Sequence, residues 1–448
     1  MQINRADSLS HLTGVKSKVS PKKVEQEEIK DQVEVGGNEG DTGAIKPHKK
    51  WLFMNLIAAD CNLVSYQIKN IDNQELVGSD ENTHLVAYMD IGPKQNYMTG
   101  NSGAHNYYIT QDTQPNKINS EIIEDFGNNV DMSNPETLTK FIVDAMKKYP
   151  SDHVAVILND HGGGFTGAMA DDHDGDFTST PMLKKAFQDA EKITGKKVDI
   201  IGFDACLMAE TEVAYELKDC ANILLASEES EGGPGWIYNE MLGKTMSTSI
   251  EVLQNALKQK IDVTPEEFAK LVVHFNEQHQ NNIPTFSATD LTKMDNLAAA
   301  TNEFAKAILA SNEDKAIKNA ISNSDNYGGG YTPYKDLHDL HHLADLVEQG
   351  VTSPELKKAA QGVKEAFNEA VIANESSPQY AGSKGLSIYA PTTSSSGLGY
   401  KYGDLQFAKD TEWDEAMVKI AKSGKEPGVD VEIREPDRPA VWPDGSPR

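Results

Sequence analysis

Cysteine is scarce in this chain, with three residues in 448: Cys61, Cys206 and Cys220. So few thiols, and an odd number of them, exclude a disulfide framework and leave at least one free. Long apolar runs are missing too, none approaching the ~20 residues of a membrane span. Positive charge is in short supply, 42 Lys and Arg against 69 Asp and Glu, for a net charge of −27. That excess repels nucleic acid and anionic membranes, both polyanions, and favours cationic substrates or divalent ions. The opening residues MQINRADSLSHLTGVKSK hold no apolar core of a secretory signal, so a cytoplasmic location is the default expectation. Hydrophobic residues make up 38%, with 15 Tyr, 13 Phe and 4 Trp, enough for a sizeable core. A soluble, acidic, monomeric globular protein is expected.

Residues 1–50 are polar, without sustained apolar period, and read as a disordered leader or pro-segment. Residues 421–448, with five prolines, read as an extended tail. Between them, apolar strands alternate with amphipathic helices. Trp51–Ala59, Thr83–Asp90, His153–Leu158, Val198–Phe203 and Asn222–Ala226 have strand character. Helices are predicted over 134–148, over about 181–192, and from Leu207 onward. The pattern predicts an α/β fold whose mostly parallel central sheet is covered on both faces. The second half is more helical. Thr264-Pro-Glu-Glu267 reads as a capping box, Leu291–Leu309 as a helix, and Thr285–Thr289 and Gly385–Ala390 as two more candidate strands.

In open parallel sheets, sites form beyond the carboxyl ends of the strands. Two strands end in unusual residues. VAVILNDHGGGFTG delivers His161 followed by Gly162, Gly163 and Gly164, and VDIIGFDACLM delivers Asp204 and Cys206 at a strand-to-helix junction. A thiol at a helix N-terminus is held as thiolate by the dipole and free N–H groups, and a nearby imidazole moves its proton. The N–H groups of Gly162 or Gly163, with that of Cys206, face a developing oxyanion in this reading. Taken alone, Cys206 is equally a small buried apolar residue, His161 a turn residue, and Asp204 a helix N-cap.

The two blocks resemble the clostripain-like cysteine peptidases, the C11 group with a caspase-type α/β/α fold. The resemblance rests on Asn159-Asp-His161-Gly-Gly-Gly164 and Asp204-Ala-Cys206-Leu-Met208. It extends to WLFMNLIAADCNL, ASEESEGGPGW, FSATDL, GLSIYAP and DTEWDEA, covering about 51–420. It implies an endopeptidase acting through a His161/Cys206 dyad on polypeptides with Arg or Lys before the scissile bond. Asp204 would be the partner of that basic side chain, which an ionised carboxylate attracts. Glu228, Glu229 and Glu231 either add negative potential there or form a solvated acidic loop. Relatives are often activated by self-cleavage after the catalytic His, but no Lys or Arg lies between Lys148 and Lys184, which turns attention to the lysine-rich leader.

The chemistry requires no cofactor, although some relatives depend on calcium. Asp171, Asp172, Asp174 and Asp176 surround a Gly turn with oxygen ligands suited to Ca²⁺, without full EF-hand spacing. His338, His341, His342 and Asp345 are a second metal candidate, outweighed by an ordinary amphipathic helix with exposed imidazoles. Cys61 and Cys220 read as core residues. Two other classes stay open: a catalytically silent module that binds basic peptides through Asp204, and a metal-dependent hydrolase built on the Asp171–Asp176 cluster with His161.

Overall fold

A computed structural model describes residues 45–93, 102–114, 117–128, 130–172, 176–236, 245–276, 281–330, 334–393 and 402–423. The expected leader and tail lie outside these residues, except at their inner ends. There the first strand begins earlier than expected, at Lys49, whose ammonium bonds the Thr83 carbonyl and the Tyr108 hydroxyl, each at 3.1 Å.

The chain runs through β1 (Lys49–Ala58), α1 (Val64–Gln74), β2 (Thr83–Ile91), β3 (Gly103–Tyr108), β4 (Glu121–Gly127), α2 (Pro135–Lys148) and β5 (Ser151–Asn159). A hairpin, β6 (Ala168–Asp171) with β7 (Asp176–Thr178), precedes α3 (Thr180–Thr194) and β8 (Ile200–Asp204). Then come α4 (Thr211–Leu217), β9 (Ile223–Ala226), α5 (Thr245–Lys258), α6 (Pro265–Asn276), β10 (Thr285–Asp290), α7 (Met294–Ala310) and α8 (Asp314–Asn323). The last elements are β11 (Leu337–Asp339), α9 (Leu340–Gly350), α10 (Pro354–Ala370), β12 (Val371–Ser376), β13 (Ser387–Tyr389), α11 (Gln406–Asp410) and α12 (Trp413–Lys422).

Nine strands form the main sheet in the order β12-β10-β9-β8-β5-β1-β2-β3-β4. The five central strands, β9 to β2, pair in parallel, and each edge is finished by antiparallel pairing. Successive side chains of a strand point to opposite faces, and β1 shows why its sequence is nearly all apolar. Leu52, Met54, Leu56 and Ala58 join a core with α2, α3, α4, α7, α9, α10 and α12, while Trp51, Phe53 and Ile57 join a second core with α1, α5 and α6. Both faces are therefore dry, as expected of an α/β/α sandwich.

Local signals explain the helix starts. Asn134 caps α2 by accepting from the Glu136 N–H (2.9 Å), with Pro135 in the first turn. Thr264 and Glu267 exchange the reciprocal bonds of a capping box before α6.

Three expectations need correction. No helix starts at Leu207: that residue takes φ +67°, and the N–H groups of Leu207 and Ala209 bond the carbonyls of Glu229 and Ser227, so α4 begins only at Thr211. The Gly385–Ala390 segment forms β13, which pairs with β11 in a separate two-stranded ribbon rather than extending the main sheet. His338 is not on the α9 helix with His342; it lies in β11, buried, with Nδ1 3.0 Å from Ser324 Oγ, and burial lowers its pKa to about 4.

Candidate active site at the centre of the sheet

Strand order fixes where a site can form. The chain moves from β1 outward to β2, then returns to place β5 on the other side of β1. The crevice at the carboxyl ends of β1 and β5 is thus a topological switch point. Ile57 of β1 pairs with Asn159 of β5, and Asn159 pairs in turn with Asp204 of β8. Three neighbouring strands therefore deliver Cys61-Asn62, Asp160-His161 and Asp204-Ala205-Cys206 to one edge.

The two predicted blocks meet there. A Cβ added to Gly162 would lie 2.4 Å from the Cys206 carbonyl oxygen and 3.0 Å from Ala205 Cβ, so only glycine lets these backbones approach so closely. His161, Asp204 and Cys206 line one small cavity of about 20 Å³, together with Gln67, Asp160 and Glu231. A larger cavity, about 650 Å³, opens between the N-terminal ends of α2 and α3 and holds none of these groups.

His161 is buried, and its Nε2 lies 2.7 Å from Asn62 Oδ1. Nε2–H donates to that amide oxygen, which selects the tautomer whose Nδ1 accepts a proton. Cys206 is 5% exposed, and its Sγ accepts from the Glu231 N–H at 3.3 Å. The thiol therefore does not sit on a helix N-terminus, because the turn at Leu207 separates it from α4. The Glu231 backbone of the neighbouring loop faces the sulfur instead, with its N–H at 3.3 Å and its carbonyl oxygen at 3.8 Å. Of the two glycines expected to hold an oxyanion, Gly163 already donates to the Gly167 carbonyl (2.9 Å). Gly162 remains the candidate, opposite Cys206.

Asp204 lines the same cavity, but its carboxylate is engaged. Trp236 N–H donates to Oδ1 at 2.9 Å and Asn159 Nδ2 to Oδ2. Gly235, at φ +61°, would put a Cβ 2.2 Å from Oδ1. Burial pushes the Asp204 pKa up to about 7. Burial, and then the Asp204 charge, push Glu231 well above the carboxylate range. The two carboxyls share a proton at neutral pH.

The acidic segment that follows β9 is no solvated loop. Glu228, Glu229 and Glu231 are all buried. Glu228 accepts from Gly385 N–H (3.1 Å), and Glu229 accepts from Gly328 N–H (3.0 Å) and the Tyr380 hydroxyl (2.6 Å). Glu231 alone turns toward Asp204. Asp171 is buried and accepts from Met132 N–H (3.2 Å), whereas Asp172 is exposed. Asp176 lies opposite Asp171 across the β6–β7 hairpin, and Asp174 lies outside the described residues.

Residue-level reading missed Cys61, Asn62 and Asp160. Cys61 was placed in the core, and it is fully buried, yet its sulfur lies within 4.8 Å of donor atoms of both Asp160 and His161. Their signal was available: Cys61 and Asn62 follow the first strand, and that strand neighbours the one ending in His161.

A parallel α/β/α sandwich with a thiol and an imidazole at adjacent strand ends is the architecture of caspase-type cysteine peptidases. Residues 55–420 match the clostripain family of C11 peptidases, and the chain belongs to that family. Clostripain of Hathewaya histolytica is 24% identical over 399 residues, spanning 77% of this chain and 75% of its own length. An inactive zymogen of a C11 protease from Parabacteroides distasonis superposes with a TM-score of 0.60 at 21% identity, over 82% of this chain and 99% of its own. A secreted C11 cysteine protease from Bacteroides thetaiotaomicron, bound to an irreversible peptide inhibitor, gives a TM-score of 0.57 at 19% identity over the same shares. The protein is a cysteine peptidase of the clostripain family.

Proposed function

We propose that the chain is an endopeptidase in which Cys206 is the nucleophile, His161 its proton-transfer partner and Asp204 the selector of Arg or Lys before the cut. The observation that carries this reading is the close approach of the Gly162 and Cys206 backbones beside a cavity that the His161 and Cys206 side chains line. Cys206 Sγ attacks the scissile carbonyl, and its proton passes to His161 Nδ1, oriented by Asn62. The imidazolium then protonates the leaving amine, and water hydrolyses the thioester. N–H groups of Gly162 and Cys206 hold the oxyanion. Opening the 231–236 segment would present Asp204 to a cationic side chain, whose charge replaces the proton shared with Glu231.

A second reading makes Cys61 the nucleophile, favoured by its proximity to His161. Against it, Cys61 is fully enclosed, its thiol donates toward the Ala58 carbonyl (3.5 Å), and burial raises its pKa well above the ordinary thiol range. Fluorogenic peptides with Arg, Lys, Asp or Leu before the reporter decide both points. Cys206→Ala is expected to abolish turnover and Cys61→Ala to retain it, with Arg and Lys substrates preferred. The reverse pattern of variants makes Cys61 the nucleophile, and equal cleavage after Leu removes the role of Asp204. Unchanged rates in chelator would dismiss calcium and the metal-dependent hydrolase together. Should no substrate be cleaved, even after limited proteolysis of the leader, the peptide-binding module is the correct reading.

A further inference from the structure

We propose that Cys61, Asp160 and His161 form a site for a thiophilic divalent cation of the zinc class, whose occupancy silences the peptidase. The three residues follow β1 and β5, neighbouring strands at the switch point, so rigid elements set their spacing. One donor atom from each, a sulfur, a carboxylate oxygen and an imidazole nitrogen, lies within 4.8 Å of the others. Around a tetrahedral zinc, ligand bond lengths of about 2.0–2.3 Å put donor atoms roughly 3.5 Å apart, so the cluster need contract by about an ångström at most. Sulfur, imidazole and carboxylate together form a donor set that takes zinc over calcium or magnesium.

Two further observations point to a ligand. Asp160 is 2% exposed, its Oδ1 accepts no well-formed hydrogen bond, and its carboxyl group interacts with the Cys61 thiol. As a donor the thiol has only long contacts to the Ala58 carbonyl (3.5 Å) and Gln67 Oε1 (3.7 Å) beside Asp160, and its sulfur accepts from the Leu63 N–H at 3.4 Å. A divalent cation with one thiolate, one carboxylate and a neutral imidazole is also charge-balanced, which a buried site requires. The thiol proton leaves to solvent on binding. The adjoining cavity of about 20 Å³ has room for one water as a fourth ligand.

The binding stands independently of the dyad assignment; the silencing rests on it. His161 has two ring nitrogens: Nε2 faces Asn62, and Nδ1 is the one that the proposed dyad uses for the Cys206 proton. Whichever nitrogen the cation takes, the imidazole loses a partner it needs for proton transfer.

The test uses Co²⁺ as a spectroscopic probe, titrated into the full-length Cys206→Ala protein, so that the catalytic thiol cannot contribute. One equivalent is expected to produce a sulfur-to-cobalt charge-transfer band in the near ultraviolet, displaced by Zn²⁺. Adding Cys61→Ser is expected to erase the band, Asp160→Asn to weaken binding at least about tenfold, and Cys220→Ser to leave the band intact. Circular dichroism of each variant checks folding, and Asp160→Asn carries the test if Cys61→Ser does not fold. Absence of the band in Cys206→Ala, or its survival in the Cys61→Ser double variant, overturns the proposal. A band seen only when Cys206 is present places the metal on the catalytic thiol and overturns it equally.

Discussion

Asn62 is exposed, yet its side-chain oxygen holds the imidazole that the proposed mechanism uses for proton transfer. Its removal leaves the ring free to turn and to exchange tautomers, while the substrate pocket is untouched. Asn62→Ala is therefore expected to lower kcat about tenfold or more, within the roughly 10²–10⁴-fold that a positioned acid–base group supplies. KM should change little, and the acidic limb of the kcat profile should shift. A rise in KM at constant kcat would mean that Asn62 contacts substrate instead. Asp204 gives a second residue-scale expectation. Its pKa of about 7 means that the proposed selector carries full charge only above neutrality. KM for an Arg substrate is then expected to fall as pH rises through about 7, with no such fall for a substrate carrying Leu in that place. Asp204→Asn should erase the difference between the two profiles. Parallel profiles in the unaltered enzyme would count against any contact between Asp204 and the substrate.

At the scale of elements, the site depends on how closely two strand-end segments approach. Gly162→Ala pushes a methyl group against the Cys206 carbonyl, a backbone atom that cannot swing aside. Overpacking of this kind costs about 1–3 kcal/mol. The expected outcome is a modest fall in Tm with nearly complete loss of activity, whereas activity retained at the original level would show that the segments separate freely. This approach was half legible beforehand. The five parallel strands and their helices follow from continuous apolar runs and amphipathic periods, which hydrophobic burial dictates locally. His161 and Cys206 stood out because polar and glycine residues interrupt those runs at strand ends. The turn at 205–210 was not legible, because its residues are buried and apolar like a helix face. Its N–H groups bond the segment after β9, a partner about 20 residues away. The β11–β13 ribbon was hidden for the same reason: Ser387 N–H bonds the Ala209 carbonyl (2.9 Å), a pairing across 178 positions. Strand order, which brings Cys61 and Asn62 to His161, is likewise set by long-range packing and not by any local pattern.

Across the whole molecule, an acidic chain has drawn several carboxyls into its interior. Besides Asp204 and Glu231, the pairs Glu210–Glu212 and Glu228–Asp339 are fully buried, and desolvation raises the pKa of each member. They tie distant segments to the site: Phe165 N–H donates to Glu210, Tyr402 OH to Glu212 (2.6 Å), and His342 N–H to Asp339 (2.6 Å). Such groups keep protons in the folded state that the unfolded chain releases above about pH 4. Their contribution is fully present below the unfolded pKa and is lost as pH rises through the folded values, about 6 for Asp414 and about 7 for Asp204. His84 and His338 act in the opposite sense. Burial lowers both to about 4, so their contribution is present above about 6.5 and lost as pH falls toward 4. Between about 4 and 6.5 the two slopes oppose each other; above 6.5 the carboxyls set the slope, joined toward pH 8.5 by the buried thiols of Cys61 and Cys220, whose raised pKa acts in the same direction. Thermal unfolding of the Cys206→Ala protein, chosen to prevent self-digestion under the proposed mechanism, is therefore expected to give a Tm that falls steadily from pH 6.5 to 8.5. Glu228→Gln, whose amide donates to Asp339 without needing a proton, should make that decline shallower. A Tm that rises over the same range would mean that the buried carboxyls are ionised in the folded protein and that their charge is compensated, as a bound cation would do.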